Sequence, residues 1–414
     1  MIAVTQANTL AFTKARRSSL IAAIFMMATS AIGPGFLTQT ATFTATLGAA
    51  FAFGILASIL IDFVVQLNVW RIVSLTRMRA AELANAAIPG SGYVLTLLVL
   101  VGGLVFMLGN IAGAGLGLNA LTGLDPKWGG ALSALLAIGI FSSHRAGVAM
   151  DRIMIVLGLL KVSLILFACF ATHPPLGEAL RQTVWPDFVD FAAITTIVGG
   201  TVGGYITYAG AHRLLDRGTV GVENIEAVSK AALSGILVTG IARYVLFLAI
   251  LGVVASGVVI DVSGKGANPA AQAFGAAAGD IGMMMFGLVL WAAGISSVIG
   301  ASYTSMSFIT VFSKKITERV RHLATVAFIV ICMLVYMALG KPPAALLLFA
   351  GGFNGLILPI GLSIFMYVGW CRSDLMEGYH YPRWLLVLGI LTCLLSWFMA
   401  YKSAGAIFAF ISAA

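Results

Sequence analysis

Eleven apolar stretches, each bounded by charged or turn-forming residues, run through this 414-residue chain. They lie near 20–45, 48–70, 93–118, 128–142, 153–172, 191–211, 231–257, 282–312, 322–340, 344–370 and 384–401. A helix needs about 20 apolar residues to cross the hydrocarbon core of a bilayer. In that core every backbone polar group has to be satisfied within the segment or its neighbours. The runs therefore predict an all-α membrane protein with 11 transmembrane helices, the one at 128–142 being the shortest. They exclude an outer-membrane barrel, whose strands alternate over about ten residues. Composition removes the soluble alternative: 60% of the residues are hydrophobic and 9% charged, against roughly a quarter charged in soluble domains. Disordered chains, poor in apolar residues, are excluded by the same figures.

The basic residues give the polarity. With the N-terminus inside, 17 of the 24 Lys and Arg residues fall on the inner side and 5 on the outer, while Lys161 and Arg243 lie within runs. Such a bias predicts a multi-pass protein of a bacterial-type cytoplasmic (inner) membrane with a cytoplasmic N-terminus. The net charge of +9 then reflects topology and not a nucleic-acid surface. The first run is too long for a removable signal peptide and lacks a small-residue cleavage site. Cys169, Cys332, Cys371 and Cys393 have no CxxC spacing, so neither a disulfide framework nor structural zinc is expected.

The connections are short, and no nucleotide-binding domain interrupts the runs. Gly264-Lys265-Gly266 lacks the spacing of a phosphate-binding loop. Gly113, Gly115 and Gly117 faintly suggest a dinucleotide fingerprint, but inside an apolar run they read as close helix packing. Energy must come from an existing gradient, or the solute flows downhill. The expected partners are a small-molecule substrate, H⁺ and bilayer lipid, with no cofactor and no obligate protein partner.

Many secondary transporters are inverted repeats whose first helices are broken around the substrate. Run 1 contains Gly33-Pro34-Gly35, followed by Thr38, Gln39, Thr40, Thr42, Thr44 and Thr46. Run 6 contains Gly199-Gly200-Thr201-Val202-Gly203-Gly204, followed by Tyr205, Thr207 and Tyr208. Matched interruptions five helices apart predict a 5+5 arrangement. Residues 1–19 form a cytoplasmic N-terminal segment, 20–172 the first repeat, 191–370 the second, and 384–414 an extra helix 11 with the C-terminus. The competing reading is that Gly and Thr only permit tight helix packing.

These residues resemble the NRAMP (natural resistance-associated macrophage protein) family of proton-coupled divalent-metal transporters. Gly33-Pro34-Gly35-Phe36-Leu37 is similar to the GPxFL of that family's first helix. Gln66, Arg79 and Ala81-Glu82-Leu83 match the end of its second helix and the next loop, and Gly113 with Leu118-Asn119 its third helix. Ala292-Ala293-Gly294-Ile295-Ser296-Ser297-Val298-Ile299-Gly300, followed by Tyr303, resembles its eighth helix, and Pro359 falls at a proline of its tenth. The resemblance implies a LeuT-like fold with alternating access and a site between broken helices 1 and 6. It also exposes departures. In this register the family's metal-binding DPGN falls on Thr44-Ala45-Thr46-Leu47, its MPH on Gly203-Gly204-Tyr205, and its acidic pair on helix 3 on Met107 and Asn110. Removing water from Mn²⁺ or Mg²⁺ needs anionic or soft ligands, so no metal site is expected here.

Ionisable groups within spans are functional candidates. Asp62 in run 2, Lys161 in run 5 and Arg243 in run 7 leave one surplus positive charge at membrane depth, and broken helices add positive half-helix ends. Both favour an anion or a carboxylate-bearing solute, unless Lys161 or Arg243 snorkels to water. Asp62 is either a proton-coupling group or a structural partner of Arg243 or Lys161. His212 is either a proton shuttle or a solvated inner-face residue. Gln39, Thr42, Thr44, Thr46, Gly203, Gly204, Tyr205, Tyr208, Ser296, Ser297 and Tyr303 are the candidate substrate-binding residues, although Ser and Thr also bond back to their own helix. Asn110 and Asn354 are possible intramembrane hydrogen-bonding groups, with helix–helix glue as the alternative. Met283-Met284-Met285 reads as adaptable packing. No nucleophile–base constellation supports an enzyme. The expectation is a proton-coupled symporter of a small polar organic solute, a carboxylate or amino-acid derivative. A Mg²⁺ or Mn²⁺ carrier with a remodelled site is the alternative, followed by a channel or solute sensor.

Overall fold

The computed structural model describes residues 17–21, 23–24, 27–28, 31–143, 160, 162–264, 266–312 and 316–412. The described residues between Arg17 and Ala31 are helical. They are followed by α1 (Pro34–Leu47), α2 (Phe51–Thr76), α3 (Ala80–Ala87), α4 (Ser91–Thr122), α5 (Pro126–Ser142), α6 (Val162–Ala171) and α7 (Leu176–Val184). The second half holds α8 (Phe191–Val202), α9 (Ile206–Asp216), α10 (Ile225–Ala255), α11 (Pro269–Met306), α12 (Glu318–Leu339), α13 (Pro343–Cys371) and α14 (Arg383–Ser412). Each apolar run carries helix, but the helices are not eleven uniform crossings. Seven stretches among the described residues are long and apolar enough to cross a membrane, or eight if α6 and α7, bent by 111°, count as one. The difference has a physical origin: run 6 is split into two short helices, α1 leads almost directly into α2, and α5 has only 17 residues.

Local chemistry sets the helix ends. Asp125 accepts from the Lys127 N–H at 2.8 Å with Pro126 in the first turn, and Asp190 caps α8 through the Ala193 N–H at 2.8 Å. Asn268, just before Pro269, caps α11 through the Ala271 N–H at 3.2 Å. A short polar cap followed by proline satisfies one orphan donor and removes another.

Three helical features lie in stretches read as connections. Helix α7 is amphipathic, with exposed Leu176, Leu180 and Val184 against a polar side where Arg181 pairs with Glu178 and Asp187. Helix α11 begins at Pro269, well before 282, and kinks at Ala278–Gly279, where Gly279 has φ +65°. Helix α3 sits between the second and third runs. Arg372 donates to its terminal carbonyls Ala86 O and Ala87 O at 3.0 and 2.8 Å. The same guanidinium binds Asp374 and holds that carboxyl below its ordinary value.

Small residues draw the central helices together. A Cβ on Gly294 of α11 would lie 2.6 Å from Ala114 Cβ of α4, and one on Gly117 would meet the Trp291 backbone. Gly113 abuts Pro34 and Gly115 abuts Pro126 O, so this glycine series serves close packing. Gly199 of α8 faces Gly351 O and the Gly355 backbone of α13 in the same way. Without a hydrophobic drive between helices in lipid, such close approach supplies the packing attraction. It also gathers α1, α4, α8, α11 and α13 around the two helix breaks.

Candidate solute site at the helix breaks

The first break precedes α1. Gly33 is extended (φ −90°, ψ −170°), and Pro34 opens the new helix. The second separates α8 from α9: α8 ends at Gly203, Gly204 takes φ +54°, and α9 begins at Ile206. Each break exposes backbone groups that a continuous helix would pair.

Asn110 of α4 connects the two breaks. Its Oδ1 lies 3.6 Å from where a Gly33 Cβ would sit, and the Tyr205 hydroxyl lies beside its side chain. Ser297 Oγ of α11 approaches the same Gly33 position to 2.7 Å. Asn354 of α13 packs on Gly204 and donates to Gly102 O at 3.0 Å and Ala350 O at 2.9 Å. Gln39 donates to Leu347 O at 3.1 Å while its Oε1 faces Gly200. Thr38 Oγ1, Gln39 Oε1, Asn110 Nδ2, Tyr205 OH, Ser297 Oγ and Asn354 Oδ1 are all buried without a hydrogen-bond partner. Each such atom costs about 1–3 kcal/mol. Asn110 Nδ2, Tyr205 OH, Ser297 Oγ, Asn354 Oδ1 and Gln39 Oε1 lie at the two breaks, where they offer donors and acceptors suited to hydrogen-bonding a ligand.

Of the residues singled out by sequence, Gln39, Gly203, Gly204, Tyr205 and Ser297 come together here, with Ser296 half-buried next to Ser297. The hydroxyl of Thr42 is buried and unpaired farther along α1. Thr44 and Thr46 instead donate to Thr40 O and Thr42 O of their own helix at 2.6 and 3.0 Å. At 1.5 Å per residue Thr44 lies about 16 Å beyond the break. Asn110 and Asn354, weighed by sequence as possible helix glue, belong to the cluster. Their signal was an amide deep within an apolar run.

The first break and the motif register read from sequence do not coincide. Helix 1 opens at Gly33-Pro34-Gly35-Phe36, not at Thr44-Ala45-Thr46-Leu47. Set against the break, the outer positions of the family's DPGN fall on Gly33 and Phe36, so a carboxylate and an amide are again absent. In their place Phe36 carries the Arg243 guanidinium 4.3 Å from its ring centroid. Among the described residues no three His, Cys, Asp or Glu side chains form a group that could hold a metal ion.

Asp62 and Arg243 are each 2% exposed. They face one another across a small cavity lined also by Phe36, Ser58, Thr201 and Thr239. Arg243 Nη1 donates to Ile197 O at 3.3 Å, whereas Arg243 Nη2 and Asp62 Oδ1 have no hydrogen-bond partner. The two charges are neighbours without a closed ion pair. Lys161, the other intramembrane base, lies outside the described residues.

Tyr208, His212 and Tyr303 lie away from the central cluster, toward the basic end of the bundle. Tyr208 packs on Phe308 and Phe365. Tyr303 accepts from Arg321 Nη2 at 3.2 Å. His212 is 3% exposed, which corrects its reading as a solvated residue. Its Nε2 accepts from the Ala80 N–H at 3.2 Å, and its Nδ1 lies 3.1 Å from Ser307 Oγ. Ser307 already donates its proton to Thr304 O at 2.6 Å, so Nδ1–H is the donor and the ring is the neutral Nδ1–H tautomer. Beside it Arg79 pairs with Asp216 at 2.5 Å, tying the start of α3 to the end of α9. Asp216→Asn is expected to loosen this end. The two side chains are 17% and 25% exposed, and an ion pair still reached by solvent contributes up to about 1 kcal/mol, so maleimide labelling of Ser307→Cys, read at that peptide by mass spectrometry, should accelerate roughly fivefold. An unchanged rate would remove the pair as a latch.

Two broken helices meeting among packed spans, with polar groups at the breaks, define a secondary-transporter architecture. The family model for natural resistance-associated macrophage protein-like proteins matches residues 24–404. The chain belongs to the Nramp family and is a multi-pass membrane transporter protein with a LeuT-like fold. It is 49% identical over 374 residues to the membrane protein YcsG of Bacillus subtilis, covering 90% of this chain and 91% of that one. A manganese transporter of Eremococcus coleocola, solved in complex with an aromatic bis-isothiourea substituted compound, superposes with a TM-score of 0.74 at 14% identity, covering 94% of this chain and 86% of the other. MhsT in complex with L-phenylalanine superposes with a TM-score of 0.62 at 18% identity, covering 94% and 98%.

Proposed function

We propose that this Nramp-family chain is a proton-coupled symporter of a small polar organic solute bearing a carboxylate. It would lie in a bacterial cytoplasmic membrane with its N-terminus and basic end inside, its two five-helix repeats spanning 20–172 and 191–370. One observation carries the substrate class. The cluster at the breaks contains amides and hydroxyls with no anionic side chain, and the charged group beside it is the Arg243 guanidinium on Phe36. A divalent cation entering there would exchange its water for neutral amide and hydroxyl oxygens, with no anionic ligand at the breaks and the nearest carboxylate, Asp62, already facing Arg243, which is unfavourable. A carboxylate finds the Asn110 amide N–H and the Tyr205 and Ser297 hydroxyls as donors, and the Arg243 guanidinium as the opposite charge. The fold accommodates organic solutes, as the MhsT complex with L-phenylalanine illustrates. The manganese-transporter neighbour keeps metal transport as the alternative.

Ligand-induced thermal stabilisation of the detergent-purified full chain tests this choice. Lactate, pyruvate and N-acetyl-L-alanine would be compared with their amides and with MnCl₂ and MgCl₂. At 100 times the dissociation constant a ligand of the folded state adds about 2.7 kcal/mol, enough to raise the unfolding temperature by a few degrees. The expected result is stabilisation by at least one carboxylate, less by its amide, and none by either metal. Stabilisation by Mn²⁺ or Mg²⁺ alone would establish the metal reading instead.

A further inference from the structure

The Asp62–Arg243 cavity is built from two halves of the transport machinery. Asp62 stands on α2, which packs on α8 and α10, while Arg243 stands on α10. The guanidinium is held by Ile197 O on α8 and by the Phe36 ring in the first turn of α1. The broken helices therefore supply the support of the guanidinium, so the position of its head group depends on where α1 and α8 stand.

The hydrogen-bond inventory around the pair is incomplete. Both residues line the cavity, and Arg243 Nη2 is buried without an acceptor and Asp62 Oδ1 without a donor. Thr201 lies beside the carboxylate but already donates to Ile197 O at 2.8 Å. Thr239 donates to Ile236 O and Ser58 to Ile55 O, each at 2.9 Å. A hydroxyl has one proton to give, so Thr201 serves an ionised Asp62 only by giving up Ile197 O, while Thr239 and Ser58 are engaged on their own helices. A protonated Asp62 could donate to Thr201 Oγ1. Among the described residues, Arg243 from α10 is the only charged group facing Asp62; α8 contributes Thr201, α1 contributes Phe36 and α2 itself contributes Ser58.

We infer that Arg243 receives the carboxylate of the transported solute and that Asp62 takes up the coupled proton when it does so. This rests on the carboxylate reading of function. Charge balance in a low-dielectric interior supplies the reason. Before loading, one carboxylate and one guanidinium sum to zero. An arriving solute carboxylate brings one negative charge, and leaving it uncompensated is costly. One proton bound by Asp62 restores zero: the solute carboxylate takes Arg243 Nη2, and neutral Asp62 donates to Thr201. Release of the solute frees Arg243 for Asp62, which then loses its proton on the other side. The result is one proton moved for each carboxylate.

The test is uptake of labelled lactate, pyruvate and N-acetyl-L-alanine into proteoliposomes, acid outside, with and without an imposed membrane potential. Wild type is expected to accumulate at least one of these singly charged anions independently of the potential, because anion and proton cancel. Arg243→Gln should lose that uptake by at least tenfold, while Arg243→Lys keeps the charge and should retain part of it. Asp62→Asn should still exchange the anion but no longer accumulate it with the proton gradient. The double variant Asp62→Asn/Arg243→Gln separates this role from a structural pair: restoring neutrality would repair a structural defect, but should not restore uptake. Full uptake by Arg243→Gln, gradient-driven accumulation by Asp62→Asn, or wild-type uptake by the double variant would each overturn the inference while leaving the carboxylate reading intact. Wild type that takes up none of the anions would overturn that reading, and this inference with it.

Discussion

Gly204→Val is expected to abolish transport and to destabilise the chain by about 2–5 kcal/mol. Gly204 holds φ +54° at the second break. A β-branched residue is a strong outlier in that conformation, and left-handed backbone costs roughly 1–2 kcal/mol for an L residue. A Cβ there would also strike Asn354 Oδ1 and approach Asn354 Cγ to 2.9 Å. Overpacking of this kind costs typically about 1–3 kcal/mol. Relief requires Asn354 to leave its bonds to Gly102 O and Ala350 O, which displaces the wall of the cluster. Thermal unfolding in detergent and proteoliposome uptake of the carboxylate probes measure the two effects. Near-normal stability and uptake would mean that the break does not need glycine.

Asn110→Leu is expected to separate function from stability in the opposite sense. Asn110 Nδ2 is buried with no hydrogen-bond partner, and the side chain is 4% exposed. Replacing an unsatisfied buried amide with an apolar side chain of similar volume removes a penalty of about 1–3 kcal/mol. The variant should unfold at the same temperature or higher. Its uptake should nevertheless fall by at least about 100-fold, equivalent to about 2.7 kcal/mol, because Asn110 is the side chain next to both Gly33 and Tyr205. Stability gained at the expense of activity is the usual sign of a binding group. A helix-glue role would produce the reverse pattern, with reduced stability and modest loss of uptake.

The sequence made the architecture legible because apolar runs and interruptions are local properties. Gly33-Pro34-Gly35 and Gly203-Gly204 mark the breaks without knowledge of their neighbours. Helix α7 was also readable in principle, since Leu176, Leu180 and Val184 recur on one helical face. Side-chain direction was less legible. Thr44 and Thr46 satisfy themselves on their own helix, a choice of rotamer that residue type does not dictate. The motif register and the helix break do not coincide, because the GPxFL string at 33–37 is itself where the helix breaks in this chain. Asp62 and Arg243 were each visible as costly charges. Their shared cavity depends on α2 lying beside α10, which no local pattern encodes. His212 looked solvated because it follows an apolar run, whereas the backbone N–H of Ala80, supplied by α3, closes over it.

Uptake of Mn²⁺ and of labelled lactate, pyruvate and N-acetyl-L-alanine by proteoliposomes of the wild-type chain, acid outside and scored against empty vesicles, tests the central claim most directly. The account predicts saturable, gradient-driven accumulation of a carboxylate and Mn²⁺ flux no greater than in empty vesicles. Saturable Mn²⁺ accumulation without carboxylate uptake would contradict it, and would mean that neutral amides and hydroxyls beside Arg243 build a metal pathway.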